Sequence, residues 1–72
     1  MDNSWTEVYL TGVPYLAELA KQMLIENGID AIIFNSQDSV YLIGDISVHV
    51  KSEDTEIAHK YIQEFEKNIK GE

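Results

Sequence analysis

The hydrophobic positions along the chain change period several times, and each change marks a new predicted element. β-branched and aromatic residues dominate Trp5–Leu10, as is typical of a strand. From Tyr15 to Asn27, apolar residues recur at the i, i+3, i+4 spacing of one helical face. The remaining pattern predicts strands over Ile29–Phe34, Val40–Ile43 and Ile46–Val50, and a final helix after Ser52.

Turn-forming residues separate these elements. Pro14 suits the first turn of a helix, where its missing N–H costs little, and Gly28 suits the left-handed end of that helix. Gly44-Asp45 has the form of a two-residue hairpin turn, and Ser52 is predicted to cap the last helix. The order β-α-β-β-β-α predicts an α+β fold, a two-layer sandwich of ferredoxin-like character (βαβββα). We expect residues 1–72 to form a single domain, with two helices on one face of a mostly antiparallel sheet.

The predicted hairpin turn also fixes which side chains share a face of the sheet. It pairs Val40–Ile43 with Ile46–His49, and alternation in the first strand turns Val8 and Leu10 inward. The face left open is then predicted to carry Trp5, Tyr9, Ile32, Phe34, Val40 and Leu42, edged by Glu7, Asp30 and His49. A contiguous apolar patch of this kind marks an interaction surface. The alternative is a one-residue register error in a strand, which would exchange its two faces.

Composition and charge limit the partners. The chain has 13 acidic residues, five lysines and no arginine, which gives a formal net charge of −8. Phosphate groups are bound mainly through Lys and Arg, so this acidic balance counts against nucleic acid and anionic membranes as partners. A chain of 72 residues leaves much apolar surface incompletely covered, which favours a homodimer or a protein partner. No cysteine and no apolar leader are present, so we expect a cytoplasmic protein.

Several polar residues invite chemical interpretations. Asp38, Ser39 and His49 are the residue types of a hydrolytic triad, but no nucleophile elbow or oxyanion-hole glycines accompany them. Asp38, Asp45 and His49 lack a diagnostic metal-ligand spacing. We therefore expect no catalytic residues, no metal and no cofactor. The loop and turn could instead hold a small polar ligand, with candidate binding residues Asn35, Asp38, Ser39, Tyr41 and Gly44.

Short segments along most of the chain carry a family resemblance: Trp5–Tyr9, Ala17–Leu24, Asn27–Ala31, Asn35–Tyr41, Gly44–Ile46, Glu53-Asp54 and Ala58. With these segments, the chain resembles the small bacterial domains known as putative prokaryotic signal-transducing proteins, which have no established biochemical function. The resemblance implies a ferredoxin-like or PII-like fold and a regulatory or binding role, and it supplies no catalytic residues.

Two functional hypotheses follow. The first is a non-enzymatic regulatory or interaction module that uses the open apolar face for self-association or for docking a protein partner. The alternative is a small-ligand sensor whose site is formed by the Asn35–Tyr41 loop and the Gly44-Asp45 turn.

Overall fold

The computed structural model describes residues 4–35 and 46–70. It confirms the α+β two-layer architecture, with a three-stranded antiparallel sheet and two helices. The elements are β1 (Trp5–Thr11), α1 (Pro14–Glu26), β2 (Ala31–Asn35), β3 (Ile46–Lys51), a 3-10 turn (Ser52–Asp54) and α2 (Thr55–Lys70). The predicted strand Val40–Ile43 and the predicted turn at Gly44-Asp45 lie outside the described residues.

Strand β3 is the centre of the sheet, whose order is β1-β3-β2. It runs antiparallel to both neighbours, so β1 and β2 are parallel to each other with β3 between them. Both edges of β3 are therefore occupied: Ile46 pairs with Thr11 and Asn35, and His49 pairs with Glu7 and Ile32. The sequence predicted instead that Ile46–His49 pair with Val40–Ile43, and those partner residues lie outside the described part of the chain.

The core lies between the sheet and the helices. Val48 and Val50 of β3 are fully buried, and each contributes about 1.5–3 kcal/mol relative to an exposed valine. The predicted inward face of β3 is thus confirmed. The helices cover this face with Ala17, Ala20 and Leu24 from α1 and Ala58 and Ile62 from α2.

Backbone hydrogen bonds around Gly28 end α1, and a 3-10 turn that begins at Ser52 precedes α2. Gly28 has a φ of 84°, and its N–H donates to the carbonyl of Ile25 while that of Ile29 donates to Leu24. This is a Schellman ending, in which Leu24 and Ile29 also meet in the core. Ser52 does not cap α2 directly. Its hydroxyl bonds the Thr6 hydroxyl at 2.7 Å, and α2 begins three residues later, at Thr55.

Strand β1 contains a β-bulge that reverses the predicted orientation of its second half. Glu7 pairs with His49 and Tyr9 pairs with Val48, which leaves Val8 as the extra residue. Tyr9 therefore faces inward and is only 6% exposed, whereas Leu10 faces outward and is 52% exposed. The prediction that Tyr9 lies on the open face and Leu10 beneath the helices is wrong. The Tyr9 ring instead packs edge-on against Phe65 of α2, with ring centroids 5.5 Å apart.

The bulge makes a testable prediction about two neighbouring residues. Tyr9→Ala should lower the free energy of unfolding by about 3 kcal/mol, because it removes a buried ring from the contact with Phe65. Leu10→Ala should cost less than about 1 kcal/mol, since Leu10 is half exposed. Urea denaturation of both variants measures these differences. Equal losses, or a larger loss for Leu10→Ala, would contradict the bulged register.

Burial of Tyr9 also predicts how stability changes at alkaline pH. Desolvation raises the pKa of Tyr9 above its ordinary value of 10.0, a hydrogen bond with Thr11 acts in the lowering direction, and the Glu66 carboxylate adds to the rise. The neutral phenol is thus favoured in the folded state. Its contribution to stability is complete below pH about 10 and is lost as the pH rises above that value, where the unfolded chain ionises first.

Tyr9→Phe keeps the aromatic ring and removes this ionisation, so it should lose less stability than the wild type between neutral pH and about pH 11. Tyr15→Phe is the matched control, because Tyr15 is 68% exposed. Urea denaturation at both pH values gives the comparison. An alkaline loss in Tyr9→Phe as large as that of the wild type would show that other groups cause it.

Candidate functional site

One face of the sheet has neither of the two described helices over it, and we call it the open face. It is defined by the outward side chains of the three strands: Trp5, Glu7 and Leu10 from β1, Ile32 and Phe34 from β2, and Ser47, His49 and Lys51 from β3. The ladder arranges them in cross-strand rows, with Leu10, Ser47 and Phe34 in one row and Glu7, His49 and Ile32 in the next. The bulge at Val8 places Leu10 in the position on this face that Tyr9 was predicted to fill.

The apolar part of the open face consists of side chains from both outer strands. Phe34 is 51% exposed and Leu10 is 52% exposed, while Trp5 and Ile32 are half-buried. Single apolar side chains are comparably exposed on the helices, Ile25 at 48% among them, but these four lie together on one side of a single sheet. An arrangement of this kind is suited to contact with another apolar surface.

The central strand of the open face carries polar side chains, which make specific contacts with one another and with their neighbours. Nε2 of His49 and Oγ of Ser47 share a hydrogen bond of 3.0 Å. The His49 ring also packs edge-on against Phe34, with ring centroids 4.6 Å apart. At one end, Nζ of Lys51 lies 3.3 Å from Oδ2 of Asp30. That ion pair is exposed and adds little stability, but it nearly cancels the charge at this end.

The open face therefore carries little net charge although the chain is strongly acidic. Its charged residues among those described are Glu7 and the Asp30–Lys51 pair. The other described carboxylates belong to the helices and the 3-10 turn: Glu18, Glu26, Glu53, Asp54, Glu56, Glu64 and Glu66. As far as the described charges are concerned, repulsion between two copies of this chain is accordingly weakest where the open faces approach each other.

Some of the predicted site residues lie on the open face, one does not, and the others lie wholly or partly outside the described residues. Trp5, Ile32 and Phe34 lie on the open face as expected, and Tyr9 does not. Val40 and Leu42 lie outside the described residues. So do four of the five predicted ligand-binding residues, namely Asp38, Ser39, Tyr41 and Gly44, and of Asn35 only the backbone, at the end of β2, is described. The ligand site thus stays a prediction.

Leu10 is the apolar residue of this face that the sequence pattern did not predict. The signal was present in Val8-Tyr9-Leu10, three apolar residues in succession, which fit neither phase of a strict alternation. Such a run permits a bulge, in which two successive residues turn to the same side of the sheet.

A second concave surface lies between the two helices. This groove of about 370 Å³ is lined by Met23, Asn27, Ile57, Lys60, Tyr61, Glu64, Phe65 and Asn68. Its apolar floor is an extension of the core, and its rim carries one lysine and one glutamate. None of the predicted site residues lines it.

The described part of the chain contains neither a cluster of potential metal ligands nor a helix suited to crossing a membrane. Within residues 4–35 and 46–70, no three His, Asp or Glu side chains come together as a potential metal site. Neither helix in the same residues is both long and apolar enough to cross a lipid bilayer.

Comparison with known proteins identifies a family. No curated protein and no solved structure matches the chain significantly. A family described as "putative prokaryotic signal transducing protein" matches residues 5–66, which include all three strands, α1 and most of α2. The match covers most of the chain and agrees with the resemblance carried by the segments quoted above. The chain therefore belongs to this family of putative prokaryotic signal transducing proteins.

Proposed function

We propose that the chain is a non-enzymatic regulatory module that self-associates through the open face of its sheet. The observation that carries the proposal is the exposure of Phe34 and Leu10, both about half exposed, on the sheet face opposite the two described helices. Two such faces brought together would remove these side chains from water, and each Å² of apolar surface covered contributes about 25 cal/mol before the costs of association.

Electrostatics favours a second copy as the occupant. The net charge of −8 repels another copy over most of the surface, but the open face holds only Glu7 and the neutralised Asp30–Lys51 pair among the described charges. A different protein docking on the same face is the alternative outcome of the test.

The polar contacts on the open face support a binding role over a catalytic one. Ser47 and His49 are hydrogen-bonded as a nucleophile and its base would be. Both residues lie within β3, whose backbone is paired along both edges, so its N–H groups are engaged in the sheet. Amides held in a ladder cannot turn towards a developing oxyanion. We also propose that the protein is cytoplasmic, as the sequence leads us to expect.

The test is sedimentation equilibrium of the wild type from micromolar to millimolar concentration, in salt that screens the net charge. The wild type should dimerise, and Phe34→Lys should stay monomeric because it places a charge in the apolar contact. Its unfolding free energy should change by less than about 1 kcal/mol, since Phe34 is half exposed.

Ile25→Lys is the matched control. Ile25 is 48% exposed on α1, and this substitution changes the net charge by the same amount as Phe34→Lys. The control should dimerise like the wild type. A wild type that stays monomeric at millimolar concentration would reject self-association and point to a different protein partner. Equal disruption by Ile25→Lys would place the contact elsewhere.

A further inference from the structure

His49 occupies the centre of the open face. It lies on the middle strand, with Glu7 opposite on β1 and Ile32 opposite on β2. Its ring packs edge-on against Phe34, and its Nε2 bonds to the Ser47 hydroxyl. The side chain is half-buried already, before any second surface covers it. A partner that covers Leu10 and Phe34 would therefore also cover His49.

Among the described residues, few charged groups lie around His49. Glu7 faces it from β1, and β2 contributes no titratable side chain over residues 31–34. On β3 itself, Lys51 lies two residues further along the same face and is paired with Asp30. The helices pack against the opposite face of the sheet. Within the described part of the chain, Glu7 is thus the carboxylate that faces the imidazole.

We propose that self-association through the open face is linked to protonation, with neutral His49 required in the dimer. The inference rests on the proposed function and adds a regulator to it. A histidine is the side chain whose charge changes most readily between pH 5 and pH 8. Covering the open face would remove water from the imidazole, and an imidazolium held among Phe34, Leu10 and Ile32 loses its hydration without full replacement.

Glu7 does not offset this loss. Its side chain is exposed, so its attraction for a protonated His49 in the free chain is screened and weak. In a covered interface the carboxylate would itself be desolvated, and the desolvation of both charges opposes their attraction. The neighbours on β2 are apolar, and the Ser47 hydroxyl that bonds to Nε2 of His49 is a neutral acceptor that does not cancel the charge.

The sign of the pH dependence follows from this difference. Covering the open face acts against the charged form of His49, so dimerisation releases protons and weakens as the pH falls. Two copies contribute one histidine each. Each proton that dimerisation releases weakens association up to about tenfold for each unit by which the pH falls. The dimer should therefore weaken by about ten- to a hundredfold.

The net charge of the molecule acts in the opposite direction. Protonation of either histidine makes the chain less acidic, which reduces the repulsion between copies and strengthens association slightly. His59 lies exposed on α2, away from the open face, and contributes only to this general effect. It therefore supplies the matched control for His49.

The experiment measures the dimer dissociation constant by sedimentation equilibrium at about pH 7.5 and about pH 5.5. The wild type and His59→Gln should both dissociate about ten- to a hundredfold more readily at the lower pH. His49→Gln should lose the pH dependence: its dissociation constant should be nearly the same at both pH values, since its amide stays neutral. His49→Phe is a second neutral variant, which tests the same point with an aromatic ring.

The outcomes separate this inference from the proposed function. A wild-type dimer whose dissociation constant is the same at both pH values overturns the linkage and leaves self-association in place. A pH dependence that persists in His49→Gln and His49→Phe also overturns it. So does the loss of dimer in both variants at pH about 7.5, because the inference requires only a neutral side chain. A wild type that is monomeric at both pH values rejects the proposed function and, with it, the linkage.

Discussion

Pairing of β3 along both edges is the constraint on which the rest of the structure depends. β3 is the only described strand that touches both others, and it supplies the fully buried Val48 and Val50 to the core. Because β1 and β2 both run antiparallel to it, they are parallel to each other, and the chain between them must cross over. Helix α1 makes that crossing and covers the inner face of the sheet.

The bulge at Val8 lets one short strand serve two surfaces. Val8 and Tyr9 are both buried in the core, while Leu10 is directed to the open face. Without the extra residue, the alternation would have placed Tyr9 in water and removed its contact with Phe65. The bulge thus allows Tyr9 to pack against α2, and at the same time it places Leu10 in the apolar part of the open face. Bulges commonly redirect side chains in this way.

Much of the architecture could be predicted from local signals. The helical periodicity, Pro14 and Gly28 predicted α1 and its end, and the β-branched run at Ile46–Val50 predicted β3 with its buried side. These features depend on residues close together in the sequence. The pairing partners of β3 could not be predicted in the same way, because they depend on which distant strands reach each edge.

The open face was predicted correctly where the strand is regular and wrongly where a bulge interrupts it. Ile32 and Phe34 alternate with Ala31 and Ile33, so their side followed from the exposed Asp30. Val8, Tyr9 and Leu10 are all apolar, and hydrophobicity alone does not decide which of them is turned inward. The contact of Tyr9 with Phe65 decides it, and that contact joins opposite ends of the chain.

The position of β3 between two strands that precede it has a consequence for synthesis of the chain. β1 leaves the ribosome first, but its ladder partner is not complete until Lys51 has emerged. During that interval the core is incomplete, so the side chains of Val8 and Tyr9 and the inner side of α1 stay uncovered. Folding must therefore wait for contacts between distant segments, which slows it and leaves apolar surface open to chaperones. A nascent chain that stalls before β3 cannot assemble this core.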